Sequence, residues 1–334
     1  MHRRSKTFLC SLFLLVPLFC ALPQVSRAQT PSPALLVLNK EDSTLWIIDP
    51  ASLKTVGQVD TGAAPHELAV STDGKFAYVA NYGSTTPGNT LSVIDLVAQK
   101  EIHRVDLGEM RRPHGIEFFN GKVYFTSEVC KCLGVYDPSS NKVQQFLRTD
   151  QDRTHMLLFS KDGQRLFTAN VQAGTISAFR LNSSSGKWDA TVIPVGTGAE
   201  GMDLSPDGKQ LWTANAGDGT VSIIDVASNK VLETPDIRAK HSNRLKFTPD
   251  GKRVLVSDMG GNQLIVLDAA THKEMKRLDI GRQPEGIVMP GNGRAYIALG
   301  GERTVVVLDL AGLTPAARIS VGNGPDGMTW ASRR

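Results

Sequence analysis

A segment built around an Asp-Gly pair recurs along this chain of 334 residues, and that repetition constrains the fold more than any other feature. Ser71-Thr72-Asp73-Gly74-Lys75 returns as Ser160-Lys161-Asp162-Gly163-Gln164, Ser205-Pro206-Asp207-Gly208-Lys209 and Thr248-Pro249-Asp250-Gly251-Lys252. A short β-rich run follows each, as in Phe76 to Asn81, Leu166 to Asn170 and Leu211 to Asn215. A second run then closes on aspartate: Thr90 to Asp95, Thr220 to Asp225 and Gln263 to Asp268. Asp-Gly tolerates the positive φ of a tight turn, and the flanking runs are β-branched and bounded by turn residues. Each unit therefore reads as four antiparallel strands, a to d, which is one propeller blade.

The position four residues before the end of strand a is His66, His114, His155, Glu200, Asn243, Glu285 and Asp326, at spacings of 48, 41, 45, 43, 42 and 41 residues. That period suits four-stranded blades, and no helical apolar pattern of useful length appears after residue 33. Residues 34–60 carry strands b, c and d but no strand a. Gly324 to Ala331 carry a strand a with nothing after it. Joining the two ends completes a seventh blade and removes the exposed edges. The expected fold is an all-β, seven-bladed propeller occupying 34–334 as one domain, after a short linker at 29–33.

Tyr78-Val79-Ala80-Asn81, with the Ser-Pro-Asp-Gly-Lys turn and Thr220-Val221-Ser222-Ile223-Ile224-Asp225, resembles the bacterial YVTN-type propeller repeat over about residues 34–331. The resemblance implies a propeller and leaves function open. Relatives include secreted and surface-layer proteins, a periplasmic DNA-binding propeller, lactonases, and propeller domains of haem-d and copper reductases. Phe119-Asn120-Gly121-Lys122 and Ser127 depart from the repeat in blade 3.

Residues 1–28 read as a signal peptide: Arg3, Arg4 and Lys6, an apolar run from Phe8 to Ala21, then Ser26-Arg27-Ala28 at a cleavage site. A Sec-type leader and a periplasmic or secreted product are expected, with no membrane span after cleavage. The whole chain has 37 basic and 33 acidic residues, and the leader holds four of the basic ones. The remainder is neutral, which gives no general support for nucleic-acid binding. A monomer is expected. Cys130 and Cys132 are the cysteines left after cleavage; a local disulfide and two free thiols, including soft metal ligands, both remain open.

Strand a is innermost in a propeller, so the anchor residues ring the central channel. His66, His114 and His155, flanked by Asp326 and Glu200, form a candidate transition-metal site. His155 with Glu200, or His66 with Asp326, could instead be an oriented general base. Polar lining of a wet channel is the third alternative. Asn243, Glu285, Arg112, Arg153 and Arg244 join the candidate ligand-binding set, because guanidinium groups at a channel mouth attract small anions. Arg111, Arg238, Lys240 and Arg282 lie on the same loops. Asn39, Asn81, Asn170 and Asn215 end strand b at one register and are expected to cap turns through backbone bonds. Gly-x-Ser-x-Gly, His-Glu-x-x-His, phosphate-loop and Cys-x-x-Cys-His motifs do not occur. The main functional expectation is an exported platform binding a small anionic ligand or a periplasmic protein on this face. The alternative is an enzyme: a lactonase-like hydrolase, or a metal-dependent oxidoreductase or accessory protein built on the histidines.

Overall fold

Strands b and c read as near-continuous apolar runs because each is covered on both faces by neighbouring blades. In Leu35-Leu36-Val37-Leu38, Leu36 and Leu38 pack with Leu68, Ala77 and Val79 of the next blade. Leu35 and Val37 pack with Tyr296, Ala298 and Val305 of the blade before. Period-two alternation thus feeds two different cores from one strand. Strand d sits outside and is largely exposed, as in Lys54–Asp60 and Lys230–Glu233.

The computed structural model describes residues 29–333, so the expected leader lies outside the described residues. Its strands form seven sheets of four antiparallel strands. The seven-bladed architecture read from the repeat is the one observed. Blade 1 pairs strand a from the C-terminus (Pro325–Ala331) with strands b, c and d from the N-terminus (Ala34–Asn39, Thr44–Asp49, Lys54–Asp60). Blades 2 to 7 follow in chain order. The Asp-Gly turns behave as read: Ser71 Oγ donates to Asp73, whose carboxylate also accepts from Lys75 N–H, and Gly74 sits at φ 70°. Among the described residues no helix is long and apolar enough to cross a membrane.

One irregularity positions the site. In every blade the pairing of strands a and b shifts register at the anchor residue, as between Pro65 and Glu67 or Pro113 and Ile116. Such a bulge re-aims side chains and leaves backbone groups unpaired. Hydroxyls from strand b satisfy them: Gly115 N–H donates to Thr126 Oγ1 at 2.9 Å, and Arg244 N–H to Ser257 Oγ at 2.8 Å. The hydroxyls buried in these otherwise apolar strands are therefore part of the channel's construction.

The Asn residues ending strand b act differently from the expected backbone caps. Asn81, Asn170 and Asn215 each donate to a Thr and a Ser of strand c, Thr90 and Ser92 in the first case. Strand c's Thr-x-Ser pattern supplies oxygens on one face at the right spacing, so side-chain triads replace caps. Among the described residues Asn39 bonds through its side chain to Thr44 alone, and of the four only Asn81 also accepts a backbone N–H, from Gly62.

Candidate functional site

The bulges gather seven anchors around the channel mouth. His114, His155, Glu200, Asn243, Glu285 and Asp326 are buried, and His66 keeps 22% of its side chain exposed. A second ring comes from the position after the Asn39 register of strand b: Lys40 in blade 1, Tyr82 in blade 2 (where the strand runs on to Gly83) and Glu128 in blade 3, against Val171, Ala216, Met259 and Gly300 in blades 4 to 7. The polar members crowd over the three histidines, so the cup is chemically one-sided. Sequence reading missed Lys40 and Glu128. Their signal was the register itself, one residue past the position of Asn39 and Ser127 in strand b.

His155 lies between two carboxylates, with Nδ1 2.6 Å from Glu128 and Nε2 3.0 Å from Glu200. Burial opposes its charge, but Glu200 and Glu128 outweigh burial and hold its pKa up at about 9. His155 is therefore an imidazolium at neutral pH. Burial likewise opposes ionisation of Glu200, and His155 overrides it, drawing the carboxyl down to about 2. His114 packs against that cation, with ring centroids 3.6 Å apart, and burial plus the His155 charge keep it neutral.

His66 completes the row. Its Nδ1 is 3.2 Å from His114 Nε2 and 3.5 Å from Asp326. Burial, assisted by Lys40, His155 and Arg244 against the pull of Asp326, lowers its pKa to about 4. We assign the proton to Nδ1, where the Asp326 carboxylate favours it and His114 Nε2 accepts it. His66 Nε2 is then a bare lone pair, and it meets no protein partner among the described residues. The Tyr82 ring, 4.5 Å away, fixes the imidazole, and Tyr82 Oη donates to Glu128 at 2.7 Å.

Lys40 Nζ bridges Glu285 and Asp326 on the other side. Glu285 is pushed up by burial and by Asp326, whose own carboxyl Lys40 and Arg244 hold ionised against burial. With Glu285 protonated, four cations (Lys40, Arg153, His155, Arg244) match four anions (Glu67, Glu128, Glu200, Asp326). Arg112 is left over. It stacks on Tyr82 with 4.7 Å to the ring centroid and donates to Ser84 O, and it meets no carboxylate among the described residues. Arg112 and Arg153 both occupy the left-handed φ region, at 51° and 59°, just before strand a. Blades 5 and 7 of that register include Gly198 and Gln283, and glycine would carry less strain than arginine there.

Arg244 is not with the rim arginines, as sequence position suggested. It is buried in strand a of blade 6, bonded to Glu67 of blade 2, and 3.8 Å from both Glu200 and Asp326. The pair spans the bore and forms its waist. Arg111 and Arg238 are paired outward with Glu109 and Glu274. Asn243 accepts from Arg244 at 3.2 Å.

The expected metal set does not fit. His155 commits both nitrogens to carboxylates, and its ring lies against that of His114, tilted by 32° with centroids 3.6 Å apart. Among the described residues no group of three or more His, Cys, Asp or Glu side chains could hold a metal ion. Cys130 and Cys132 are bonded to each other, which removes them as thiolate ligands. Their disulfide lies in the same loop as Glu128, between Ser127 and Cys132.

A family model described as "Lactonase, 7-bladed beta-propeller" matches residues 135–298. None of the curated proteins matches the chain. Among solved structures, a putative 6-phosphogluconolactonase from Bacteroides fragilis is 16% identical, with a TM-score of 0.74 over 91% of this chain and 99% of that one. The periplasmic gluconolactonase of Pseudomonas aeruginosa is 17% identical, with a TM-score of 0.72 over 91% and 100%. Kuenenia stuttgartiensis hydrazine synthase is 20% identical, with a TM-score of 0.69 over 86% and 99%. At these identities the likeness is one of fold.

Proposed function

We propose that this propeller hydrolyses a lactone carrying an anionic group, using the histidine cup as its active site. The observation that carries this reading is His66: a neutral imidazole held from behind by Asp326 and His114, with Nε2 open to the channel mouth. In this scheme Nε2 removes a proton from water as the oxygen attacks the lactone carbonyl. Lys40 and Arg153 stabilise the developing oxyanion. Collapse breaks the ring C–O bond, and His66 returns the proton to the leaving alkoxide, giving the hydroxy acid. Arg112, the cation without a carboxylate, receives the substrate's own carboxylate or phosphate. The matched lactonase family model and the two lactonase-titled structures support the reaction class. The leader-like N-terminus and the disulfide support an exported protein.

The test uses chain beginning at Gln29, with glucono-1,5-lactone and its 6-phosphate, followed by pH-stat against spontaneous hydrolysis. His66→Gln is expected to lower kcat/KM by about 100-fold with the melting temperature retained. Arg112→Met should raise KM for the phosphorylated lactone far more than for the neutral one. The kcat/KM profile should fall on the acid side as His66 protonates near pH 4, and on the alkaline side as His155 loses its proton near pH 9. No turnover above background, or full activity in His66→Gln, overturns the proposal.

A further inference from the structure

The waist divides the channel into two chambers. Arg244 reaches across the bore to Glu67, and at the same register Gly115, Gly201, Gly286 and Gly327 bring neighbouring a-strands into backbone contact. Beyond it lies a separate cavity of about 270 Å³, which the hydrolytic scheme leaves unused. Leu68, Ile116, Met156, Leu158, Ile287 and Met328 form the apolar part of its wall. Its charged lining residues are Glu67 and Arg244 of the waist, with Glu117 in blade 3 and Lys246 in blade 6.

These charges do not cancel evenly. Lys246 pairs with Asp203 at 3.4 Å, and Glu67 with Arg244. Among the described residues Glu117 makes no ion pair, although Lys246 acts on it through space. Its Oε2 accepts the Phe159 N–H at 2.9 Å, which fixes the carboxyl of this half-buried residue, and its Oε1 meets no protein partner among the described residues. Burial pushes its pKa up to about 7, with Lys246 and Asp203 acting in opposite directions. Its free oxygen lines the cavity, where an entering cation can reach it.

We propose that this lower chamber is a second binding site, for a small organic ammonium with an apolar body, held through Glu117. The apolar wall takes the body of the ligand, and the fixed carboxylate orients its ammonium group. The anion-seeking cup and the cation-seeking chamber then occupy opposite faces of one molecule, separated by Arg244.

Isothermal titration of chain beginning at Gln29 at pH 8, where Glu117 is ionised, tests the assignment. The probes are n-butylammonium and benzylammonium, with benzyl alcohol as the neutral control. At least one amine should bind at one per protein and ten-fold or more tighter than the alcohol. Glu117→Gln keeps the Phe159 contact and should weaken the amine at least ten-fold. Leu158→Trp, which fills the chamber and leaves Glu117 intact, should abolish binding even if the first variant fails to fold. His66→Gln, which acts in the cup, should leave the amine affinity unaltered. Failure of both amines, equal binding of the alcohol, unaltered binding in either chamber variant, or loss in His66→Gln overturns the proposal.

Discussion

At the scale of the residue, the cup is governed by which groups carry protons. His66, His114 and His155 occupy equivalent positions yet differ in state, because two carboxylates flank His155, while burial and like charge keep the other two neutral. Their common register was readable from the repeat. Their division of labour was not, since it depends on Glu128 and Lys40, which arrive from other strands. Glu200→Gln should remove one of the charges that hold His155 protonated and cost about 3 kcal/mol in denaturant unfolding at pH 7, as expected for a broken buried pair. The sign of the pH effect follows from linkage. His155's folded pKa is raised, so its stabilisation is complete below its unfolded value of 6.5 and disappears as pH rises through about 9. In Glu200→Gln the alkaline loss should begin at lower pH; an unshifted stability profile would show that Glu200 does not hold that proton.

At the scale of the element, the decisive unit is the bulged strand a. Alternation identified these strands, but a strict period of two would send anchor and following residue to opposite faces. The register shift at each anchor changes that, and a single sequence shows it only indirectly, through Thr126, Thr213 and Ser257 within apolar runs. Glycine at four of the seven waist positions has a packing cause. A Cβ on Gly327 would stand 2.1 Å from the His66 carbonyl oxygen, and one on Gly201 would stand 2.6 Å from that of Asn243. Backbone on both sides cannot swing away. Gly327→Ala should therefore destabilise by about 2–3 kcal/mol and disturb His66, lowering lactone turnover beyond the loss of folded protein. Denaturant melts and kcat/KM on the folded fraction separate the two effects, and an unchanged midpoint would contradict the close-approach argument.

At the scale of the whole molecule, one closure holds seven blades in a ring. The chain ends revealed it because residues 34–60 lacked a strand a that Gly324 to Ala331 could provide. The structure adds a clasp that the sequence did not disclose: the segment 29–33, expected as a linker, is tied down through Thr30 and Ser32. Arg333 donates to Thr30 O at 2.6 Å and its N–H to Ser32 Oγ at 2.9 Å, while the buried Thr30 hydroxyl bonds Leu96 O in blade 2. Ending the chain after Gly324 removes Pro325–Ala331, uncovers the inner edge of Ala34–Asn39, and deletes Asp326 from behind His66. Exposing that apolar edge and opening the ring should lower the melting temperature by at least about 10 °C and promote association through the free strand. A synthetic peptide spanning 325–334, added in trans, should restore both by strand addition. A truncated chain that melts like the full one would mean that the ring is held by contacts between blades alone, and that its closing strand serves only to bring Asp326 to the cup.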